Sequence, residues 1–279
     1  MFHVEKMSPE DFEFAVHLSN TMNWNATKED FEIMTSLEPD GCFILFFNSE
    51  KVGIATSISY DRVGWIGNII LSEKHRGKGG GSLIVKNAIE YLTKKGVETV
   101  GLYSYVDRIP FYAKQNFQFN SKFVVLKGKG FSASTKAHVR TANEDDMQQI
   151  FDLDRQCFGG SRRKLLEPIL HDSANMCYVC TDDDQILGFV VAKVSDEASE
   201  IGPLVCKKEH EDAAIDLLKT VLKKLEGCEV SLCIPEKEVM IFNLLKKHAF
   251  KEDFRLARMF RGTPITNEYI YVAESLERG

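Results

Sequence analysis

Short motifs recur along this 279-residue chain at an almost constant spacing. Four of them appear in the same order in both halves, three at an offset of 135 residues and one at 133. The pairs are "HV" at 3 and 138, "KVGIATS" at 51–57 with "ILGFVVA" at 186–192, "WIGNIIL" with "EIGPLV" around Gly67 and Gly202, and "FYAKQNF" at 111–117 with "LLKKHAF" at 244–250. Ordered matches at one spacing indicate two copies of the same domain.

The chain length also fits two domains better than one. The sequence predicts a first domain over residues 1–130 and a second over 136–279. The segment "KGKGFSASTKA" at 127–137 is small, polar and contains glycine, which is typical of a linker.

Local patterns predict a mixture of helices and strands in the first copy. Ser8 and Pro9, followed by two acidic residues, form a helix start with Ser as the cap and Pro at the first position. Residues 83–95 place apolar side chains on one stripe, and Gly96 ends that helix. The predicted helices are 8–20, 27–37, 83–95 and a short one at Pro110, and the predicted strands are 42–47, 52–60, 63–71 and 97–104.

The segment "SEKHRGKGGGS" at 72–82 contains four glycines and lies between a predicted strand and a predicted helix. A helix N-terminus leaves backbone N–H groups unpaired and carries a partial positive charge. Glycine lets these N–H groups approach an anion directly, and Arg76 and Lys78 add positive charge. The segment therefore predicts a phosphate-binding loop. The alternative, a flexible loop, does not account for the two basic residues.

Nucleotide-binding motifs do not fit this loop. A P-loop requires GxxxxGK[ST], which no window supplies, and GxGxxG fails because Ser82 stands at the place of the third glycine. Residues 76–81, Arg-Gly-Lys-Gly-Gly-Gly, have instead the form [RQ]xxGx[GA]. With "NIIL" before it and an amphipathic helix after it, this segment resembles the acetyl-CoA loop of the GNAT superfamily of N-acetyltransferases.

The resemblance covers most of the first half and extends to "FYAKQNF", which is similar to the FYxKxGF segment of that superfamily. The second half resembles the degenerate second domain of tandem GNAT proteins, with "IGPL" at 201–204 and "RMFRG" at 258–262. The resemblance implies an α/β (mixed α+β) fold with two GNAT-like domains, each a central, mostly antiparallel sheet flanked by helices. It also implies acetyl-CoA as the co-substrate and no metal.

The same resemblance implies which residues hold acetyl-CoA. The loop N–H groups would bind the pyrophosphate, and the preceding strand would pair its backbone with the pantetheine arm as a sheet edge pairs with a peptide. The implied residues are Ile69, Ile70, Leu71, Arg76, Gly77, Lys78, Gly79, Gly80, Gly81 and Ser82.

Amide formation from a thioester needs a proton for the leaving thiolate. Tyr112 matches the family's usual general acid, since a phenol with an ordinary pKa of about 10 stays protonated at neutral pH. The alternative is that Tyr112 only packs. Asn116 replaces the family's glycine but tolerates the left-handed conformation, and Tyr105 replaces an asparagine that contacts CoA. Candidate bases near the loop are Glu73 and His75, with positioned water as the alternative.

The acceptor is expected near "MNWN" at 22–25, where this family admits its substrate. Trp24 and Asn25 are therefore candidate acceptor-binding residues, although Trp24 could equally fill the core. Arg162 and Arg163 could hold an acceptor carboxylate from the second domain or lie on a solvated surface. Basic residues are unfavourable at a helix start, which mildly favours the binding role.

The second copy lacks the residues that carry the chemistry. At an offset of 135, residues 76–81 correspond to 211–216, which contain three acids and no glycine, and acids there would repel phosphate. At an offset of 133, Tyr112 corresponds to Leu245. We expect the second domain to keep the fold, to bind no cofactor, and to shape either the acceptor pocket or a homodimer surface.

Composition argues against several functions. A net charge of −6 disfavours a general nucleic-acid-binding protein. No apolar run approaches the roughly 20 residues of a membrane span, and the acidic N-terminus is unlike a signal peptide, so a cytoplasmic protein without a membrane partner is expected. The odd number of cysteines, seven, suggests free thiols. Cys177 and Cys180 lie on a predicted strand and face opposite sides, which disfavours a metal site.

Together these features predict an acetyl-CoA-dependent N-acetyltransferase in which a primary amine of a small molecule or peptide attacks the thioester directly. The alternative is a non-catalytic acyl-CoA-binding sensor, which would keep the glycine loop but show no turnover. The presence of Tyr112 favours the enzyme.

Overall fold

The computed structural model describes residues 1–183, 185–195, 197–265 and 269–279. Within this part of the chain, strands and helices alternate in both halves. The strands are β1 (Phe2–Lys6), β2 (Cys42–Phe47), β3 (Glu50–Tyr60), β4 (Val63–Leu71), β5 (Thr99–Tyr105), β6 (Gln118–Lys129), β7 (Val139–Thr141), β8 (Met176–Asp182), β9 (Gln185–Lys193), β10 (Ser199–Cys206), β11 (Glu229–Pro235), β12 (Lys251–Arg261) and β13 (Ile270–Val272). The helices are α1 (Phe12–Asn20), α2 (Lys28–Leu37), α3 (Gly80–Lys94), α4 (Ile109–Ala113), α5 (Met147–Phe158), α6 (Arg163–His171), α7 (Glu211–Lys224) and α8 (Val239–Lys247).

Capping residues set the first helix starts as predicted. Ser8 forms a capping box with Asp11, and a short 3-10 turn then leads into α1. Thr27 forms a second capping box with Asp30 at the start of α2. The predicted strands at 42–47 and 63–71 coincide with β2 and β4. These local signals are therefore confirmed.

The repeated motifs occupy equivalent elements in the two halves. The paired segments around Gly67 and Gly202 lie in β4 and β10, and each contains a register shift against the preceding strand. The segments before β6 and β12 also end in the same hydrogen-bonded turn. Phe117 N–H donates to the Tyr112 carbonyl, and Phe250 N–H donates to the Leu245 carbonyl, both at 3.1 Å. The correspondence of Tyr112 with Leu245 is therefore confirmed.

The alignment of the glycine loop with residues 211–216 is wrong. β4 ends at Leu71 and α3 begins at Gly80, whereas β10 ends at Cys206 and α7 begins at Glu211. The second connection is four residues shorter, so Gly80 corresponds to Glu211 and the offset falls to 131. The connection between β10 and α7 is too short to contain a counterpart of residues 76–79.

The acids of α7 have structural roles. Glu211 and Asp212 occupy its first turn, where negative charge favours the helix dipole. Asp216 lies in the next turn and accepts the backbone N–H groups of Lys136 and Ala137 at 2.7 and 2.8 Å. It therefore anchors the connection between the halves instead of facing an anion site.

The two halves exchange their last long strands and form one continuous sheet. The strand order is β1-β2-β3-β4-β5-β12-β6-β11-β10-β9-β8-β7, with β13 beside β10. β12 pairs antiparallel with β5, and β6 pairs antiparallel with β11 and β12. Residues 127–129 belong to β6. The predicted linker at 127–137 therefore begins too early, and the free connection starts after the bridge at Gly130.

Buried side chains form layers on both faces of this sheet. One cluster lies beneath α3 in the first half and another beneath α7 in the second. A third combines residues of both halves, including Phe31, Trp65, Phe158 and Leu165. The halves therefore share a core as well as a sheet.

A buried carboxylate joins the halves on this shared side. Glu38 is 2% exposed and pairs with Lys164 of α6 at 2.6 Å and with Lys95 at 3.4 Å. Burial alone would raise the pKa of Glu38, but hydrogen bonds from Lys164, Tyr91 and Ser59 lower that pKa to about 2. The folded state thus stabilises the charged form of Glu38.

No helix in the described part of the chain is long and apolar enough to cross a bilayer.

We expect Glu38→Gln to lower the free energy of unfolding by about 1–3 kcal/mol at neutral pH, because it removes the buried charge that accepts hydrogen bonds from Lys164, Tyr91 and Ser59. The pKa of Glu38 is depressed in the folded state, so its contribution is present above pH 4.5 and is lost as the pH falls towards 2. Urea unfolding at several pH values measures both effects, and the variant should lose this part of the acid dependence.

Glu167→Gln is the matched control, because Glu167 makes an exposed ion pair with Arg163 at 2.9 Å. It should change stability by less than about 1 kcal/mol. An equal effect of the two substitutions would contradict the role assigned to Glu38.

Candidate functional site

The sheet opens between β4 and β5. These strands pair in parallel only from Val63 to Trp65, opposite Thr99 to Gly101. β4 continues to Leu71 and β5 to Tyr105, with no further pairing between them in the described structure. The two strands therefore diverge and leave the end of β4 without a partner on that side.

A bulge in β4 lies at the opening. The register against β3 shifts between Ile54 and Thr56, and Asn68 in β4 has a φ of 49°. Beyond the bulge, Ser72 N–H donates to the Val52 carbonyl at 2.8 Å. Strand alternation then directs the backbone groups of Ile69 and Leu71 towards the opening. The predicted pantetheine edge has the geometry that such pairing requires.

The glycines after β4 serve different purposes. Gly77 and Gly79 have φ values of 74° and 91°, a conformation that L-residues rarely adopt, and a Cβ on either would enter open space. A Cβ on Gly80 would lie 2.9 Å from Leu45 and Phe2, so this residue lets α3 pack against the first strands. The loop shape and the packing of α3 together explain why side chains are absent here.

The N-terminus of α3 is open towards this loop. Within the described residues, no side chain caps it and no acidic residue lies in its first turn. Arg76 is exposed, and its Nε donates to the Leu71 carbonyl at 3.0 Å, at the end of β4. Lys78 is also exposed. The open helix N-terminus thus follows a loop with two exposed cations, of which Lys78 donates to the Lys74 carbonyl at 2.8 Å.

Helix α4 is fixed against the same N-terminus. A Cβ on Gly81 would lie 3.3 Å from the Phe111 ring, and Gln115 donates to the Ser82 hydroxyl at 3.0 Å. Tyr112 in this helix is 8% exposed and packs edge-on against Phe117, with 6.0 Å between the ring centroids. Tyr112 is therefore held next to the loop.

The Tyr112 hydroxyl is protonated and available. Burial raises its pKa, and Arg108 opposes this only in part. The hydroxyl makes no hydrogen bond with another described residue. The proton of this hydroxyl is therefore not engaged by another group of the described structure.

A cavity of about 220 Å³ lies beside the bulge of β4. Trp24 lines it, and the Trp24 Nε1 donates to the Tyr105 hydroxyl at 2.9 Å, which ties the α1–α2 connection to the diverging end of β5. The remaining lining residues are Ala26, Asp30, Phe31, Met34, Asn68, Glu200, Glu277 and Arg278. Both halves of the chain therefore form this cavity.

The segment 273–279 brings the second half to the cavity. Ala273 N–H donates to the Cys233 carbonyl at 2.9 Å in the second half, and Trp65 Nε1 donates to the Leu276 carbonyl at 3.3 Å in the first. Glu277 lies against Gly67 so closely that a Cβ on Gly67 would be 2.6 Å from the Glu277 backbone. The segment thus lies directly on β4.

The acceptor-site predictions have mixed outcomes. Trp24 lines the cavity. Asn25 is exposed, has a φ of 51° and shapes the turn beside the cavity without lining it. Arg163 lies on the surface, where it pairs with Glu167 at 2.9 Å, as the alternative of a solvated surface predicted.

The expectation that Arg162 holds an acceptor carboxylate is wrong. Its side chain is fully buried, and Nη2 pairs with Asp154 at 2.6 Å. It also donates to the backbone oxygen of Gly279 and lies over the Phe158 ring. Its charge is already neutralised, so it holds α5 and the segment 273–279 together.

The candidate bases near the loop face elsewhere. His75 is 6% exposed, contacts the Phe47 ring and accepts or donates a hydrogen bond with the Ser72 hydroxyl at 2.9 Å. Glu73 is exposed. Neither residue lines the cavity.

The described residues contain no group of three or more His, Cys, Asp or Glu side chains placed to hold a metal ion. Cys177 and Cys180 in β8 pack into different clusters on opposite faces of the sheet, as the strand pattern predicted.

Several lining residues could not be selected from the sequence. Asn68 was only part of a strand pattern, and its left-handed conformation marks the bulge. Glu200 precedes the "IGPL" motif, and Glu277 and Arg278 follow all matched motifs. Glu200 begins the repeated segment "EIGPLV" but corresponds to Trp65, so the repeat did not mark it as a site residue, and the repeat does not extend to Glu277 and Arg278.

Two family models match the chain. One, described as "Acetyltransferase (GNAT) family", matches residues 9–117, and the other, described as "Acetyltransferase (GNAT) domain", matches residues 150–272. A holothin acyltransferase from Pseudoalteromonas sp. (strain SANK 73390) is 25% identical over 263 residues, which are 92% of this chain and 87% of the relative.

Solved structures share the fold over nearly the whole chain. A candidate acetyltransferase from Pyrococcus horikoshii has a TM-score of 0.83 and 21% identity and covers 100% of this chain and 96% of its own. A tandem GNAT protein from the clavulanic acid biosynthesis pathway has a TM-score of 0.62 and 11% identity, covering 95% and 99%.

We expect Gly67→Ala to displace the segment 273–279 from β4, because the new Cβ would meet backbone atoms of Glu277 at 2.6 Å. Overpacking of this kind lowers stability by about 1–3 kcal/mol. Hydrogen–deuterium exchange should rise within 273–279, and cleavage after Glu274 and Glu277 by a glutamate-specific protease should be faster.

Gly96→Ala is the matched control, because Gly96 has a φ of 85° and a Cβ there would enter open space. It should lower stability through backbone strain of roughly 1–2 kcal/mol without changing exchange at 273–279. Unchanged exchange in Gly67→Ala would contradict the contact.

Proposed function

Because the chain belongs to the GNAT acetyltransferase superfamily and carries one GNAT domain in each half, we propose that its first half transfers an acetyl group from acetyl-CoA to a primary amine. The observation that carries this proposal is the divergence of β4 and β5 beside an uncapped, glycine-led helix N-terminus. The alternative of a sensor without turnover does not fit an acyltransferase family.

The glycine loop fits the pyrophosphate of CoA. The N–H groups at the start of α3 have no side-chain cap among the described residues, and Arg76 and Lys78 are exposed beside them. Hydrogen bonds to a charged group contribute about 1.5–3 kcal/mol each. The backbone of Ile69 and the Leu71 N–H, which face the opening, would hold the pantetheine arm as an added strand is held, while the Leu71 carbonyl accepts from Arg76 Nε.

Tyr112 would supply a proton to the leaving sulfur. Its hydroxyl is protonated and has no hydrogen-bond partner in the described chain, and α4 is fixed against the start of α3. When bound, acetyl-CoA supplies the activated thioester. The acceptor amine attacks its carbonyl carbon, and the phenol protonates the sulfur as the C–S bond breaks.

The cavity beside the β4 bulge would admit the acceptor. Its volume of about 220 Å³ suits a small amine or one side chain of a peptide. Holothin is an acceptor to test first, because the name of the 25% identical relative indicates acyl transfer to it. The lining by Glu200, Glu277 and Arg278 supports an acceptor-binding role for the second half. A homodimer surface stays a prediction.

We expect Gly79→Glu to abolish acetyl-CoA binding, because it places bulk and negative charge beside the pyrophosphate. Calorimetry on the wild-type chain should give one site per chain, since the second half lacks the loop. Gly79→Ala is the matched control: it has the same backbone strain at φ 91° without the charge and should weaken binding only modestly. Unchanged affinity in folded Gly79→Glu, or two sites in the wild type, would overturn the assignment.

We expect Tyr112→Phe to lower kcat by roughly 10²–10⁴-fold while acetyl-CoA affinity stays near the wild-type value, because it removes a proton donor and almost no volume. A panel of primary amines that includes holothin, assayed by release of CoA thiol, provides the measurement. Tyr105→Phe is a control that removes the hydroxyl bound by Trp24 and should act mainly on KM. A wild-type kcat in Tyr112→Phe would show that Tyr112 packs in the core but does not donate the proton.

A further inference from the structure

We propose that Glu277, supplied by the second half, is the general base of this site and takes the proton that the acceptor ammonium must lose before it attacks. The inference rests on the acetyl transfer proposed above. It makes the second half part of the catalytic machinery, although in that half the connection after β10 is shorter than the glycine loop and Leu245 stands in place of Tyr112.

The position of Glu277 is the first argument. It lines the cavity together with Asn68, the bulge residue of β4. Its backbone lies against Gly67, the residue before the bulge. Glu277 therefore lies beside the bulge that precedes the strand edge proposed to hold the thioester arm, and an amine in the cavity would contact both.

The second argument is that the Glu277 side chain is not paired with another described residue. The other charged groups of the cavity lining each have a close partner. Asp30 accepts from the Thr27 backbone at 2.9 Å, Glu200 pairs with Lys193 at 2.8 Å, and Arg278 pairs with Glu274 at 3.2 Å. Glu277 makes no ion pair and no hydrogen bond with another described residue. Apart from a hydrogen bond from its own backbone N–H, its carboxylate has no partner in the described structure, so a proton donor in the cavity can approach it without displacing another side chain.

The surroundings also make Glu277 a stronger base than an ordinary carboxylate. Burial raises its pKa, Glu200 raises that pKa further, and Arg278 and Lys193 act in the opposite direction. A general base works best when its pKa lies closer to the working pH. Glu277 is deprotonated above its raised pKa and can then accept a proton.

The protons of the proposed acetyl transfer are all accounted for. The Glu277 carboxylate takes one proton from the acceptor ammonium and becomes a carboxylic acid. The free amine forms the C–N bond, the C–S bond breaks, and sulfur takes the Tyr112 hydroxyl proton. The second amine proton passes to the Tyr112 phenolate through solvent, and Glu277 releases its proton to solvent. The net products are the amide, CoA thiol and one proton.

The test is the pH dependence of kcat for wild type and Glu277→Gln, with the amine that turns over fastest in the panel above. Wild-type kcat should rise with pH through the raised pKa of Glu277 and then level off. Glu277→Gln should be roughly 10²–10⁴-fold slower at neutral pH and recover as the pH approaches the pKa of the amine itself, about 10 for an alkylamine. Acetyl-CoA affinity measured by calorimetry should be unchanged, and thermal unfolding verifies the fold.

Two further variants distinguish proton transfer by Glu277 from a general effect of negative charge in the cavity. Glu277→Asp keeps a carboxylate and should keep the acidic limb of the pH profile. Glu200→Gln removes an equal charge from the same cavity and should change KM without the alkaline shift. A Glu277→Gln variant with the wild-type rate and profile overturns this inference alone. Absence of turnover by the wild type with every amine overturns the proposed function and this inference with it.

Discussion

The pairing of β12 with β5 is the interaction on which the rest of the structure depends. β4 holds β5 only over its first three residues, whereas β12 pairs with β5 from Val100 to Tyr105. β5 can therefore diverge from β4 while the backbone groups of its other edge stay paired with β12. The opening in the first half thus exists because a strand of the second half supports its outer side, and a single copy would have to supply that support from its own β6.

The exchange also explains why one copy could specialise. The first half holds the long loop after β4, the open start of α3, and Tyr112. In the second half the corresponding connection is four residues shorter, and Leu245 replaces the phenol. The second half contributes instead through β12 and through the segment 273–279, which lies against Gly67 of the first half. Each half therefore completes the structure of the other.

Local signals in the sequence predicted local structure well. Ser8 and Thr27 cap the first helices, and Asn116 takes the left-handed conformation expected of it, with a φ of 64°. The exchange of β6 and β12 was not predictable, because an alternating strand pattern does not say which partner a strand will choose. The constant offset between the copies also failed where the second copy is shorter. It aligned Asp216 with the glycine loop, although Asp216 anchors the connection between the two halves. Neither role predicted for Arg162, acceptor binding or a solvated surface, is correct, because the sequence does not show that its side chain is buried against Asp154.

The strand exchange also sets an order of events during synthesis. β6 ends at Lys129, but its neighbours β11 and β12 begin about 100 residues later, at Glu229 and Lys251. At the usual pace of translation this leaves β6 unpaired for roughly 5–20 s on the ribosome. During that interval both β5 and β6 present open edges, of the kind that pairs with other chains. The nascent first half is therefore exposed to aggregation until the second half emerges, and protection by chaperones would matter most in this window.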